Sequence, residues 1–279
     1  MPELPEVEAV ARTLRPMIRG RRIRCVHVFH PVLIRPQSIA EFTAVLQGAR
    51  ILWVYRVGKY LFLSLDRGLI ELHFRFDGQL LWFKNPRELA ARANAKVDGV
   101  PLDVAIELSQ GVLGIVDPRH LGRVRAWRSG KECRSLRLLG VDALAPAFTA
   151  KAVHSKLSKC KRPLKDFLLD QTKFAGIGNI YSCEALWHAR LDPRRRADSL
   201  QEAEARNLHK AIVSVLRRAL ECCLEPSPDF RDPHWWFQGL QRILRVYQRE
   251  GLPCRRCGEQ VQRIKQGGRS TYCCLHCQK

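Results

Sequence analysis

Val7, Val10, Leu14, Met17 and Ile18 recur at helical spacing, so the chain opens on an amphipathic helix that ends near Gly20. The period then changes. Short alternating or wholly apolar runs occupy 23–28, 50–56, 60–65, 69–74, 79–83, 103–108, 112–116 and 123–127. Gly58, Asp66, Asp77-Gly78, Asp98-Gly99 and Asp117-Pro118 punctuate them. Such runs between turn residues predict many short strands, and hence a β-sandwich or barrel. Residues 129–148 carry neither period and read as a linker. From about 149 to 223 the helical period returns, as in Leu208, Ile212, Leu216 and Leu220. A proline-rich break at 226–233, a short Trp/Phe segment and a cysteine-rich tail follow. The predicted architecture is α+β and multidomain: a sandwich with a leading helix over 1–130, a linker at 131–148, a helical domain at 149–245 and a metal module at 246–279.

Charge narrows the partners. Among 279 residues, 48 are Lys or Arg and 27 are Asp or Glu, a formal net charge of +21. A field of that sign attracts a polyanion, with nucleic acid first and an anionic membrane surface second. No apolar run approaches the roughly 20 residues of a spanning helix, and the basic residues are spread along the chain, which disfavours the membrane. The N-terminal Met-Pro-Glu-Leu-Pro-Glu lacks the basic and apolar regions of a secretory signal. A cytoplasmic protein is expected, nucleoid-associated if bacterial.

Six cysteines are scattered and read as small buried hydrophobes; the other five lie in the last 26 residues. Cys254-x2-Cys257 and Cys274-x2-Cys277 stand sixteen residues apart, a spacing that suits one tetrahedral, structural Zn²⁺. Cys273 is left as a bystander. Between the pairs lies Gly267-Gly268-Arg269-Ser270-Thr271, and an arginine at a glycine-rich tip suits a phosphate. Farther upstream, a helix from 164 to about Gln171 precedes Gly176-Ile177-Gly178, and a second helix begins near Asn179. Asn179 is expected to cap that helix, whose amides would face an anion.

The start Pro2-Glu3-Leu4-Pro5-Glu6-Val7, the hairpin Gly176-Ile177-Gly178-Asn179-Ile180-Tyr181 and the terminal four-cysteine finger occur here in one chain and in this order. Together they resemble the formamidopyrimidine-DNA glycosylase and endonuclease VIII family, in its formamidopyrimidine branch. The resemblance implies an N-terminal β-sandwich, a helix–two-turn–helix domain and a zinc finger, with damaged DNA held between domains. It also implies a bifunctional glycosylase and abasic-site lyase of base excision repair, acting as a monomer on duplex DNA with a damaged base or abasic site. Read locally, Pro2 is an ordinary first-turn proline, and Glu3 and Glu6 complement a helix dipole. Read through the family, Pro2 is the nucleophile, Glu3 the general acid/base, and Glu6 a supporting residue. Lys59 and Arg269 complete the catalytic set. The secondary amine of Pro2 is chemically suited to nucleophilic attack, since α-amines have pKa values about 8 and an iminium at C1′ is an electron sink for elimination. DNA contacts carry over to His73, Phe76, Arg119, Leu121, Lys165 and Asn179.

The chain departs from the family pattern at several points. His73-Phe74-Arg75-Phe76-Asp77-Gly78 has Arg75 for a glycine and Phe76 for the methionine wedge that fills the hole left by a flipped base. Asp117-Pro118-Arg119-His120-Leu121-Gly122 has Leu121 for an intercalating phenylalanine. Core packing is the alternative reading of Phe76 and Leu121, beside a place in the opened base stack. Val246-Tyr247-Gln248-Arg249 has Gln248 for a glycine, a Lys-His-Asp-His-type element near 96 is missing, and Glu225–Trp236 replaces the glycine-rich loop that caps 8-oxoguanine. With these changes a ring-opened purine, a hydantoin, an oxidised pyrimidine or a bare abasic site suits the chain as well as 8-oxoguanine does. The altered wedge and capping loop also suit a paralogue that binds damaged DNA without cutting it; a thiol redox sensor using Cys273 and Cys274 is a separate alternative.

Overall fold

The computed structural model describes residues 2–94, 102–225, 229–230 and 239–279. Two units emerge, one holding Pro2 and Glu6–Arg137, the other Glu3–Pro5, Leu138–Cys222 and Gly239–Lys279. The first is a β-sandwich of two antiparallel four-stranded sheets. One sheet runs β1 (Ile23–Val28), β6 (Val104–Leu108), β7 (Val112–Val116), β5 (Gln79–Phe83); the other runs β2 (Ile51–Val57), β3 (Tyr60–Leu65), β4 (Gly68–His73), β8 (Arg123–Trp127). Each expected run is a strand, to within a residue or so at either end. The opening helix α1 (Leu4–Ile18) buries Val7, Val10, Leu14 and Ile18 completely.

Two helices lie where the strand pattern predicts none. The first, α2 (Ile39–Leu46), is fixed by a capping box: Ser38 Oγ accepts from Glu41 N, and Glu41 returns the bond to Ser38 N. The second, α3 (Pro86–Asn94), starts where Asn85 Oδ1 accepts from Glu88 N. The stretch read as a linker contains the short α4 (Arg134–Leu138) and β9 (Val141–Asp142).

In the second unit come α5 (Ala150–Leu157), α6 (Leu164–Leu168), β10 (Phe174–Ala175), which pairs in parallel with β9, α7 (Asn179–Ala189) and α8 (Glu202–Leu224). The first hairpin helix, α6, stops at Leu168, three residues before the expected Gln171. The periodic face Leu208, Ile212, Leu216 and Leu220 on α8 is buried. Helix α7 is buried all round from Ile180 to Trp187, which makes it the axis of this unit. A buried helix must satisfy any charge it carries. Glu184 does so by accepting the backbone N–H groups of Arg245, Val246 and Tyr247 at 2.8–2.9 Å. Burial still pushes its carboxyl above the usual range. After the short α9 (Leu240–Ile243), the chain ends in a hairpin of β11 (Gln262–Gln266) and β12 (Arg269–Cys273).

Candidate active site and metal centre

The N-terminus is bound into the second unit by Glu3. Its side chain is fully buried, and Oε1 accepts the backbone N–H of Ile180 at 2.9 Å. The expected cap, Asn179, does not fill that role. Gly178 is the N-cap residue, and Asn179 Nδ2 instead donates to Ser270 O at 3.0 Å. A carboxylate 177 residues away in the chain meets the amide at the helix start, where the positive end of the dipole favours it. Gly178 has to be glycine: a Cβ there would collide with the Glu3 carboxyl group, and one on Gly176 would collide with Leu4. Two of the three motifs that carry the resemblance thus form one feature.

The finger is held from beneath. Lys165 is completely buried, and its ammonium donates to Ser270 O at 3.1 Å and Thr271 Oγ1 at 2.6 Å. Burial lowers its pKa. The resemblance gave Lys165 a DNA contact, yet no part of the side chain reaches the surface. Its contacts instead fix the strand that follows Arg269. Lys165 and Asn179 together clamp Ser270, which leaves Arg269 exposed on a rigid base.

The cysteine pairs meet as the spacing predicts. Sulfur atoms stand 4.0 Å apart for Cys254–Cys277 and 3.5 Å for Cys257–Cys274, and all four thiols converge. With Zn–S bonds of about 2.3 Å, a tetrahedron has edges of roughly 3.8 Å, so these residues fit the ion. Trp187 Nε1 donates to Cys254 Sγ at 3.4 Å, and the Arg256 guanidinium covers the Trp187 ring at 4.0 Å. Cys273 is fully buried beside the cluster, outside the converging set.

Within the first unit, Pro2 is buried. Glu6, on α1, is buried as well. Lys59 follows Gly58 in the two-residue turn between β2 and β3, where Gly58 takes the positive φ (59°) that the tight hairpin needs. A turn lysine is ordinarily solvated, but Lys59 is only 8% exposed. His73, at the end of β4, accepts from Arg75 N through Nδ1 at 3.1 Å and meets the Tyr60 ring edge-on at 4.4 Å. Burial, with Arg75, Lys59 and Arg123 nearby, pulls its pKa down to about 3, so the ring is neutral at pH 7.

Phe76 and Leu121 are 46% and 48% exposed, which removes the core-packing reading of both. The Arg119 guanidinium lies 4.8 Å over the Phe76 ring and pairs with Asp77. Their loop is tied down by Asp117, whose carboxylate accepts the N–H groups of Arg119 and Gly122. Arg75 and Gln248, which stand where the family pattern has glycine, keep left-handed backbone at φ 53° and 55°. The element near 96 lies outside the described residues, as does most of the segment replacing the capping loop.

Sandwich, buried hairpin and four-thiolate finger define a zinc-bearing, DNA-binding class of protein. Comparison with known proteins agrees. Family models match residues 1–124 (formamidopyrimidine-DNA glycosylase N-terminal domain), 139–225 (formamidopyrimidine-DNA glycosylase H2TH domain) and 251–279 (zinc finger found in FPG and IleRS). The chain is 37% identical to formamidopyrimidine-DNA glycosylase of Pelotomaculum thermopropionicum, covering 100% of this chain and 99% of that one. It is 38% identical to the enzyme of Acidovorax sp., with 100% of both covered. Among solved structures, a Thermus thermophilus protein superposes with a TM-score of 0.82 at 37% identity, covering 99% and 98% of the two chains. The Lactococcus lactis enzyme, bound to DNA containing an abasic site, gives 0.84 at 27% identity with 100% of both covered. The chain belongs to the formamidopyrimidine-DNA glycosylase family and is a zinc-finger DNA repair glycosylase.

Proposed function

We propose that Pro2, freed by removal of Met1, attacks C1′ of a damaged nucleotide, displaces the base, and then cuts the strand by β- or β,δ-elimination from the resulting iminium. The observation that carries this reading is the Glu3–Ile180 bond, which fixes the residue next to Pro2 at the glycine turn. Glu3 exchanges protons at the sugar, and Glu6 supports the site. Lys59 and Arg269 meet the phosphates flanking the lesion. His73 and Asn179 assist binding, while Phe76, Leu121 and Arg119 occupy the stack and face the orphaned base. The substrate is duplex DNA, and the protein acts as a cytoplasmic monomer, nucleoid-associated in a bacterium. No described helix is long and apolar enough to cross a membrane.

Solved complexes of the Lactococcus lactis protein contain a ring-opened purine, an oxidised pyrimidine or an abasic site. We assign the first two as bases released here and the third as an intermediate. Purified protein should therefore release the damaged base from the first two and nick duplexes carrying any of the three. Tight binding to such duplexes with neither base release nor nicking would replace this reading with a damage-binding paralogue.

A further inference from the structure

His30, Asp103 and His120 converge in the sandwich unit, apart from the residues assigned above. The Nδ1 atoms of both imidazoles approach the same oxygen, Asp103 Oδ1, each at 2.9 Å. All three atoms are buried, and Asp103 is fully so. Although the separations equal a hydrogen bond, neither ring N–H aims at the oxygen, and all three atoms lack a hydrogen bond of acceptable direction. Lone pairs that converge without hydrogen bonding are what a cation requires. The separation also fits: bonds of about 2.1 Å from nitrogen and oxygen, set at right angles around one ion, place adjacent donors roughly 3.0 Å apart.

The donors are built in. Asp103 Oδ2 accepts from Asp117 N at 2.5 Å, which orients the carboxylate, and Asp103 O accepts from Phe29 N and His30 N. His120 adopts a left-handed backbone (φ 50°) that a non-glycine residue takes at a cost, and this conformation delivers its ring to Asp103. The outer edges of both imidazoles are open, at 39% and 38% exposure, which leaves room for water to complete the coordination.

We propose that His30, Asp103 and His120 form a second metal site, distinct from the finger, for a divalent transition ion of the zinc and cobalt class. Two imidazoles and one carboxylate suit such ions, whereas calcium and magnesium prefer oxygen donors alone. The bound ion tethers the loop bearing Arg119 and Leu121 to the end of β1 and the start of β6.

The test uses the full chain with zinc already in its finger, dialysed and then titrated with Co²⁺ near neutral pH. One further equivalent per chain should bind with weak visible bands. It should lack the intense near-ultraviolet thiolate absorption that exchange into the finger would produce. His30→Gln and His120→Gln should each weaken this binding by at least roughly 100-fold, the upper end of the cost of losing even an outer partner of a ligand. Finger zinc should stay at one per chain, as a control for folding. Uptake of no second ion by the unaltered protein would overturn the proposal and leave an imidazole–carboxylate ion cluster. So would a second equivalent that both variants retain.

Discussion

Two regions use left-handed or tightly enclosed backbone, and they treat glycine differently. In the turn before α7, Gly176 and Gly178 face Leu4 and the Glu3 carboxyl group with no space for a methyl group. In the loops at 75 and 248, positions that are glycine in the family pattern carry arginine and glutamine, yet their φ angles remain 53° and 55°. The first region needs glycine for volume at both positions, and Gly176 also for its φ of 107°. The second needs it only for dihedral preference, which a polar side chain can override for about 1–3 kcal/mol. Among these four positions glycine stands where a Cβ would collide and is replaced at two left-handed turns, while Gly251, left-handed with open space around it, also remains glycine.

The comparison breaks most directly at Gly178. Gly178→Ala should displace the Glu3 carboxylate and destabilise the second unit by about 1–3 kcal/mol, the usual range for overpacking. A shift of the Glu3 group by even 1 Å should lower nicking of abasic DNA by on the order of 100-fold. Wild-type nicking in the variant would show that the Glu3 position does not matter.

His73 should give a smaller, pH-dependent effect. Its folded pKa of about 3 lies below the ordinary 6.5, so between these values the unfolded chain holds a proton that the folded chain lacks. The stability it contributes is therefore complete above pH 6.5 and is lost as pH falls toward 3, by up to about 1.4 kcal/mol per pH unit. His73→Gln should flatten the fall in melting temperature between pH 7 and 5, and an unchanged slope would refute the assignment.

The smallest effect belongs to Arg75→Gly. Relief of the left-handed backbone, set against the greater freedom of glycine in the unfolded chain, should raise stability by about 1 kcal/mol or less. A clear loss of stability on thermal melting would mean that the arginine makes contacts that outweigh its backbone cost.

Local signals are legible in the sequence, and distant contacts are not. Strands β1 to β8 follow from period-two runs and their turn residues, and the finger from cysteine spacing. Helix α2 carries a legible signature in Ser38 and Glu41, but a capping box of two residues is a weak signal beside the strand pattern on either side of it. Asn179 looks like a cap by local chemistry, but Glu3 holds the helix amide, and no local rule foresees a partner 177 residues away. The resemblance gives Lys165 a DNA contact, and only the fold shows its ammonium held by Ser270 and Thr271 of β12. Glu184 and the His30–Asp103–His120 cluster are hidden for the same reason: their partners lie on other elements, at spacings that match no motif.

The central claim is covalent attack by residue 2. Protein whose mass confirms loss of Met1 would be mixed with duplex DNA carrying an abasic site, reduced with borohydride, digested and mapped by mass spectrometry. The account predicts a reduced adduct on Pro2. An adduct on a lysine such as Lys59, or none despite tight binding to the same duplex, would contradict it.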